Sequence, residues 1–531
     1  MARRLETQRQ QLSYATNKSF SSFDFLNGKV YLLTLKKARH SLSINLCLDF
    51  GYNLEFSSFL SSRSSAMKSV SLRVRIFAFA TLLCPIVASP VRAQESKGTA
   101  PVIPLFNGKD LAGWVPVNVA PGTFTARDGM IISTGKPTGV IRTDRMYENC
   151  IVELEWRHMK PAGNAGLFIW GDGVPAVGIP FTRGIEVQIL DNAYGAKGKN
   201  EWFTTHGDIF PIHGAKMTPF GKVAASGARS FPTEERSKSS PEWNHYRVVA
   251  NNGEIRLSVN GKEVSVGKDC WPRKGYVFLE SEGSECHFRN LTIQELPSTK
   301  ATEAETAISG EGRVPLFTGI DLENWKVPVG DNGHWKVTGE VIDYDAESEA
   351  TGDKSLWSQR EYGNFQLIVD WRIKETPYTN PNAEQILPDG SEAVDADGKT
   401  IKLSIPDSDS GIFLRGSENH QVNIWCWPIG SGEMYGVRRN KSLPKEVRAA
   451  VTPRMKADNP IGKWNRFEIT VRNQTVNVVL NNETVISEAN IPGLPLRGPI
   501  GLQHHGSMKE GKWTGPPSLV QFRNISIKEL P

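Results

Sequence analysis

The chain contains itself twice, and this limits its fold more than any other feature, because the architecture must close within about 200 residues and then be built again. Pro104-Leu105-Phe106-Asn107-Gly108-Lys109-Asp110-Leu111, followed by Trp114, returns as Pro315-Leu316-Phe317-Thr318-Gly319-Ile320-Asp321-Leu322, followed by Trp325. Glu242-Trp243-Asn244 opens a run that ends at Asn260-Gly261, and Lys463-Trp464-Asn465 opens one that ends at Asn481-Asn482. Phe288-Arg289-Asn290-Leu291-Thr292-Ile293 recurs as Phe522-Arg523-Asn524-Ile525-Ser526-Ile527. Starts, middles and ends all match. Residues 101–297 and 312–531 are therefore read as two copies of one domain, with 298–311, rich in Thr, Ala, Glu and Ser, as the linker between them.

Each copy is filled with short alternating segments, such as Ile255 to Val259, Tyr276 to Leu279, Phe365 to Val369 and Phe467 to Val471. Period-two alternation over four to eight residues is the mark of a half-buried strand, and no persuasive helix of ten residues interrupts it. Asn260-Gly261 and Asn481-Asn482 supply the left-handed backbone that a tight hairpin needs. The expectation is an all-β protein of two tandem β-sandwiches, most simply jelly rolls. All fourteen Trp follow residue 93 and are expected to serve mostly as core anchors.

Lys+Arg 62 against Asp+Glu 57 gives a formal charge of +5, which would suit a polyanion partner if it sat on the folded part. It does not: residues 1–93 hold 13 basic and 4 acidic side chains, leaving 49 basic against 53 acidic in the rest. No nucleic-acid partner is expected. Met67-Lys68, Arg73 and Arg75 precede an apolar run from Ile76 to Ala88, and Val91-Arg92-Ala93 forms a small-x-small site before Gln94. Residues 67–93 thus read as a signal peptide, placing the mature protein in the periplasm or outside the cell. The Ser-rich stretch 1–66 reads as a misplaced start or an extension with no obvious fold. The apolar run is too short to span a membrane, which takes about 20 residues, and no other candidate span exists. Of the cysteines beyond the leader, Cys270 and Cys286 could pair across neighbouring strands; buried free thiols are the ordinary alternative.

The chemistry-bearing residues gather in comparable stretches of the copies. In Gly184-Ile185-Glu186-Val187-Gln188-Ile189-Leu190-Asp191, Glu186 and Gln188 share one sheet face, expected to be wet, and Ile185, Val187 and Ile189 the other. The matching stretch in the second copy puts Gln421, Asn423, Trp425 and Trp427 on one face, amides beside indoles, which suits a sugar. The preceding strands end in Trp170 and Arg415, so the two surfaces are expected to differ in charge. A Gly-rich segment after Glu186 holds Trp202, His206, Asp208 and His213; imidazole and carboxylate together can exchange protons at neutral pH or hold a divalent metal. The second copy offers Glu433, Tyr435, Arg438 and His504 for its own cleft.

As an ensemble, Pro104 to Trp114, Pro315 to Trp325, Gly184 to Asp191, Gly411 to Arg415, Gly498 to Gln503 and the two Phe-Arg-Asn-x-x-Ile endings resemble a known family. The chain looks like two tandem 3-keto-disaccharide (3-keto-glycoside) hydrolase domains, which are concanavalin- or laminin-G-like jelly rolls common in secreted proteins. That resemblance implies a carbohydrate substrate whose sugar is oxidised at C3. The ketone acidifies the C2 proton, a base removes it, the C1 substituent leaves, and water adds afterwards. It further implies Glu186 or His206 as base, Asp208 or His213 as leaving-group aid or metal ligand, and Gln188, Asp191 and Trp202 as positioning groups. No cofactor is implied beyond a possible divalent metal, and no oligomeric state follows. The family pattern pairs an Arg after Gly-Ile-Phe-Leu with Glu-x-Gln-Ile-x-Asp on the next strand; the first copy lacks the Arg and the second the acids, which favours activity in the first. A noncatalytic carbohydrate-binding module is the competing reading, and an ordinary glycosidase a third.

Overall fold

The computed structural model describes residues 20–26, 29–38, 41–46, 100–195, 203–204 and 206–531. The leader proposed at 67–93 and Trp202 lie outside them. Contacts divide the chain into Met1–Gln94 and Glu95–Pro531. In the first unit Phe20–Leu26, Lys29–Ala38 and Ser41–Leu46 form a three-stranded antiparallel sheet. These three runs are separated by two residues each, and the rest of the extension read at 1–66 lies outside the described residues.

The second unit holds both copies, and its described residues are almost entirely β: among them the helical segments are Tyr435–Arg439, Lys445–Ala450 and the 3-10 turn Glu303–Glu305. In copy one, an eight-stranded antiparallel sheet has Asn164–Gly171 at its centre, between Gly184–Leu190 and Tyr276–Ser281. A nine-stranded sheet, with Cys150–His158 between Asn244–Asn251 and Cys286–Glu295, lies against it. Leu167, Ile185, Val187, Ile189 and Leu279 from the first sheet meet Val152, Leu154, Val248, Leu257 and Ile293 from the second in one core. Copy two repeats the plan with an eight-stranded and a five-stranded sheet over a core containing Leu367, Val369, Ile412, Val422, Ile469, Val478, Ile500 and Ile527. These residues alternate along their strands, so burying one face of each sheet satisfies the whole pattern.

The repeated motifs have local causes. In each copy's opening segment the tryptophan turns back on the chain: Trp114 Nε1 donates to the Leu105 carbonyl at 2.8 Å, and Trp325 Nε1 to Leu316 at 3.0 Å. The hairpin residues Asn260, Gly261, Asn481 and Asn482 all have positive φ, at 46°, 87°, 52° and 69°. Cys270 and Cys286 are buried and unpaired, so the proposed disulfide gives way to ordinary core thiols.

The linker is strapped to copy one rather than free. Trp271 Nε1 donates to the Ala304 carbonyl at 2.8 Å, Arg273 grips Glu305 at 2.8 Å, and Glu148 accepts from the backbone of Thr299 and Ala301. Composition alone could not show this, because the partners lie up to about 150 positions away in sequence.

Candidate functional site

The strand Gly184–Leu190 alternates as its sequence requires: Ile185, Val187 and Ile189 are fully buried in the core, while Glu186 and Gln188 point to the other side of the sheet. That other side is covered rather than an open strand face. Phe181, Tyr194, Phe203, Phe210, Ile212 and Arg229 wall it into a cleft of about 240 Å³, and Glu186 is only 7% exposed.

Two further carboxylates lie in the same cleft, Glu280 and Glu282, brought there by Tyr276–Ser281 and the residue just beyond it. Strand pairing explains the meeting. Phe168 stands opposite Glu186 on one side and Phe278 on the other, so Glu186 and Glu280 flank the central strand near Gly166. Glu280 Oε2 and Glu186 Oε1 come within 2.9 and 3.0 Å of the point a Cβ on Gly166 would occupy. Only the absence of a side chain at 166 lets them converge.

Hydrogen bonds order the floor. Gln188 Nε2 donates to Asn164 Oδ1 at 3.1 Å, and Asn164 Nδ2 donates to Glu282. Glu280 Oε2 is buried with no hydrogen-bond partner among the described residues. Burial above all lifts the three carboxyls: Glu186 to about 8 with Glu282 repelling it, Glu280 well above the ordinary carboxylate range with Glu186 and Glu282 repelling it, and Glu282 upward with Glu340 repelling it. Arg229, 3.6 Å from Asp208 and stacked over Phe210, is the cation that partly offsets the charge on Glu186.

The histidines divide. His206 is buried outside the cleft lining; its Nε2 accepts the backbone N–H groups of Arg236 and Ser237 at 3.3 and 3.2 Å, and its Nδ1 meets Ser237 Oγ at 2.7 Å. Burial pushes its pKa down to about 4. Both ring nitrogens are occupied, so the base role considered for His206 is corrected to a structural one. Asp208 is held by the Thr204 backbone at 2.9 Å and by Thr204 Oγ1, and acts behind Arg229 rather than in the cleft. His213 stands at the mouth, stacked on Phe181 at 6.2 Å. With His206 occupied and Asp208 turned to Thr204, these three do not fit a metal as a ligand set. Among the described residues no group of three or more His, Cys, Asp or Glu is arranged to hold one. Asp191 is likewise a brace: it accepts from Ala162, Ala193 and Ser240 N–H groups, which hold its pKa low against the opposing effect of burial.

The second copy presents the same framework with different chemistry. Register equates Gly166 with Gly411, Glu186 with Gln421, Gln188 with Asn423 and Glu280 with Gln503. Gln421 Nε2 donates to Gln503 Oε1 and to the Ser410 carbonyl, where copy one has two carboxylates. Asn164 and Glu282 become Asp409 and His505. Arg415 does not face this surface: its guanidinium donates to the carbonyls of Gly363, Asn473 and Pro495, so the charge difference expected from Arg415 and Trp170 is corrected. Trp170 is also turned away, donating to Glu148 O.

Trp425 and Trp427 stack at 4.3 Å with Tyr435 edge-on, packed in a buried cluster beside the hairpin of Tyr378–Glu384 and Lys402–Asp407. Glu433 is buried against Arg438 at 2.5 Å, and burial raises its carboxyl to about 7 despite that cation. His504 bonds Tyr344 Oη at 2.7 Å, on the side opposite Gln503. These residues hold the copy together and do not converge with Gln421.

The sequence pattern of the 3-keto-alpha-glucoside-1,2-lyase-like domain matches residues 101–294 and again 312–528. The chain belongs to this carbohydrate-active family, with two tandem members in one polypeptide. A search of curated proteins finds no match. Among solved structures, two candidate glycosyl hydrolases from Parabacteroides distasonis are similar: one at 24% identity and a TM-score of 0.29 over 36% of this chain and 93% of its own, the other at 23% and 0.26 over 37% and 100%. A carbohydrate-binding module from Bacillus subtilis is similar at 14% identity and a TM-score of 0.25, over 36% of this chain and 98% of its own. Among the described residues no helix is long and apolar enough to cross a membrane.

Proposed function

We propose that copy one cleaves a glycoside whose sugar carries a ketone at C3, by eliminating the C1 substituent across C1 and C2. The convergence of Glu186 and Glu280 over Gly166 on the floor of a cleft carries this reading. The C2 proton beside the ketone passes to Glu186, the released electron pair forms the C1=C2 bond, and the C1–O bond breaks. The leaving oxygen takes a proton from Glu280, which burial and the neighbouring Glu186 and Glu282 hold well above the ordinary carboxylate range. With Glu280 held protonated and Glu186 raised to about 8, the acid-and-base pair forms as pH approaches that value and Glu186 gives up its proton. Gln188 and Asn164 set the floor, and Tyr194, Phe203 and Phe181 exclude water from the intermediate. Hydration of the resulting enone would complete a net hydrolysis.

The family's lyase-like description favours the elimination step itself. The paired antiparallel sheets favour the jelly-roll class, and the leader-like segment 67–93 favours export. Copy two is read as a diverged partner, because Gln421 and Gln503 cannot accept or hold a proton as carboxyls do.

Residues 94–531 incubated with methyl 3-keto-α-glucoside should release methanol and form an absorbing enone, while methyl α-glucoside remains intact. Binding of the keto sugar without turnover by the intact protein would sink the lyase reading and leave the binding-module one.

A further inference from the structure

We propose that the second copy is a working part of the first copy's cleft, holding the segment 172–182 so that Phe181 and the His213 stacked on it stand as its wall. This rests on the reading of that cleft as the reaction site. Phe181 lines the cleft and packs edge-on to Phe168 at 6.1 Å. The segment that carries it is closed by a Pro175–Thr182 bridge and an Ala176 N–H to Phe181 carbonyl bond of 2.8 Å.

Copy one itself does little to hold the tip; copy two does more. Asp370 accepts the Gly178 N–H at 2.8 Å, Arg523 Nη1 donates to the Gly178 carbonyl at 3.1 Å, and Asn524 Nδ2 donates to Ala176 and Ile179 at 3.0 and 2.9 Å. Trp464 closes over Gly178, which has positive φ and no room for a side chain against that ring. These partners are themselves fixed. Asp370 is fully buried, gripped by Arg466 through two bonds of 2.6 and 2.8 Å and by Asn524 at 2.6 Å. The base of the segment is held by the strapped linker, where Gly173 donates to Ile308 and the Ile308 N–H reaches Asp172. A second contact joins the copies at Thr138, whose N–H donates to Glu340 at 2.7 Å.

Such a clamp predicts that loosening copy two changes substrate binding in copy one. Asn524→Ala removes two bonds to the segment and leaves the Asp370–Arg466 pair in place; Gly178→Ala drives the tip off Trp464. In the full chain, both should speed amide hydrogen exchange across 172–182 by about tenfold or more. Both should raise KM for methyl 3-keto-α-glucoside by about tenfold with kcat within about twofold, as expected when a positioning wall is lost and the proton-transfer groups are untouched. Unchanged exchange, or faster exchange with an unchanged KM, in Asn524→Ala would overturn the inference. If the wild-type chain turns over no keto sugar, the reaction reading fails by itself; KM is then replaced by the dissociation constant of the same sugar, and an unchanged constant overturns the clamp. Should Gly178→Ala not fold, Asn524→Ala decides alone, and should that also fail, Arg523→Lys, which keeps the charge, is read by the same two measurements.

Discussion

A carboxyl buried beside two others is costly to ionise, and the fold bears that cost at Glu186. Its pKa is about 8 in the folded chain against an ordinary value of 4.5, so the folded state binds the proton more tightly. Stability is therefore lost as pH rises from about 4.5 through 8, and Glu186→Gln should remove that loss. Urea unfolding should show the variant more stable than wild type by about 5 kcal/mol at pH 9 and nearly equal at pH 4; a difference independent of pH would refute the buried, protonated assignment. The same residue gives a kinetic expectation. Turnover should rise with pH through about 8 as Glu186 becomes able to accept a proton, and Glu186→Gln should lower kcat by about 10²- to 10⁴-fold. His206→Ala, by contrast, should cost about 1 to 3 kcal/mol of stability, because it orphans the Arg236 and Ser237 N–H groups, and should retain the pH profile of the wild type. Glu186 could be found from sequence because alternation placed it opposite a core face. His206 could not be assigned, since its partners lie 30 and 31 residues away.

At the scale of the strand, register decides which side chains meet. Gly184–Leu190, Asn164–Gly171 and Tyr276–Ser281 are adjacent, and their pairing brings two acids from strands nearly 100 residues apart to one glycine. Tyr276 to Leu279 was legible as a strand, and the same alternation extends to Glu280 on the face of Phe278. What sequence lacked was strand order, without which Glu280 could not be placed beside Glu186. The cleft's other walls, Tyr194, Phe203 and Arg229, come from loops and short edges that carry no periodic signal. Gly166→Ala tests the geometry directly. The new methyl would meet both carboxylate oxygens at about 3 Å, so turnover should fall by about tenfold or more as the acids separate, with ~1 to 3 kcal/mol lost in thermal unfolding. Wild-type kcat in a folded Gly166→Ala protein would contradict a reaction centred over this residue.

Across the whole molecule, duplication has been followed by division of labour, visible at equivalent positions. The carboxylate, Arg and Asn that end each copy's motif form one cluster twice: Glu155, Arg289 and Asn290 beside Trp243 in copy one, and Asp370, Arg523 and Asn524 beside Trp464 in copy two. In copy one the members bond to each other at a partly exposed surface; in copy two the shorter Asp370 leaves its oxygens for Gly178 and Arg466 as well. The repeated Phe-Arg-Asn segment was legible as a repeat, but its use as a docking face was not, because only one copy meets a partner. The reacting surfaces diverge in the opposite sense: copy one keeps Glu186 and Glu280, and copy two has Gln421 bonded to Gln503. Chemistry should therefore map to one copy. The double change Gln421→Ala and Gln503→Ala, in the full chain, should leave keto-sugar turnover within about twofold of wild type, while Glu280→Gln alone should lower it by about 10²-fold or more through loss of the proton donor. Steady-state rates on the same substrate separate the outcomes, and a comparable loss from both sets of changes would show that the second copy takes part in the chemistry and does more than hold the first in shape.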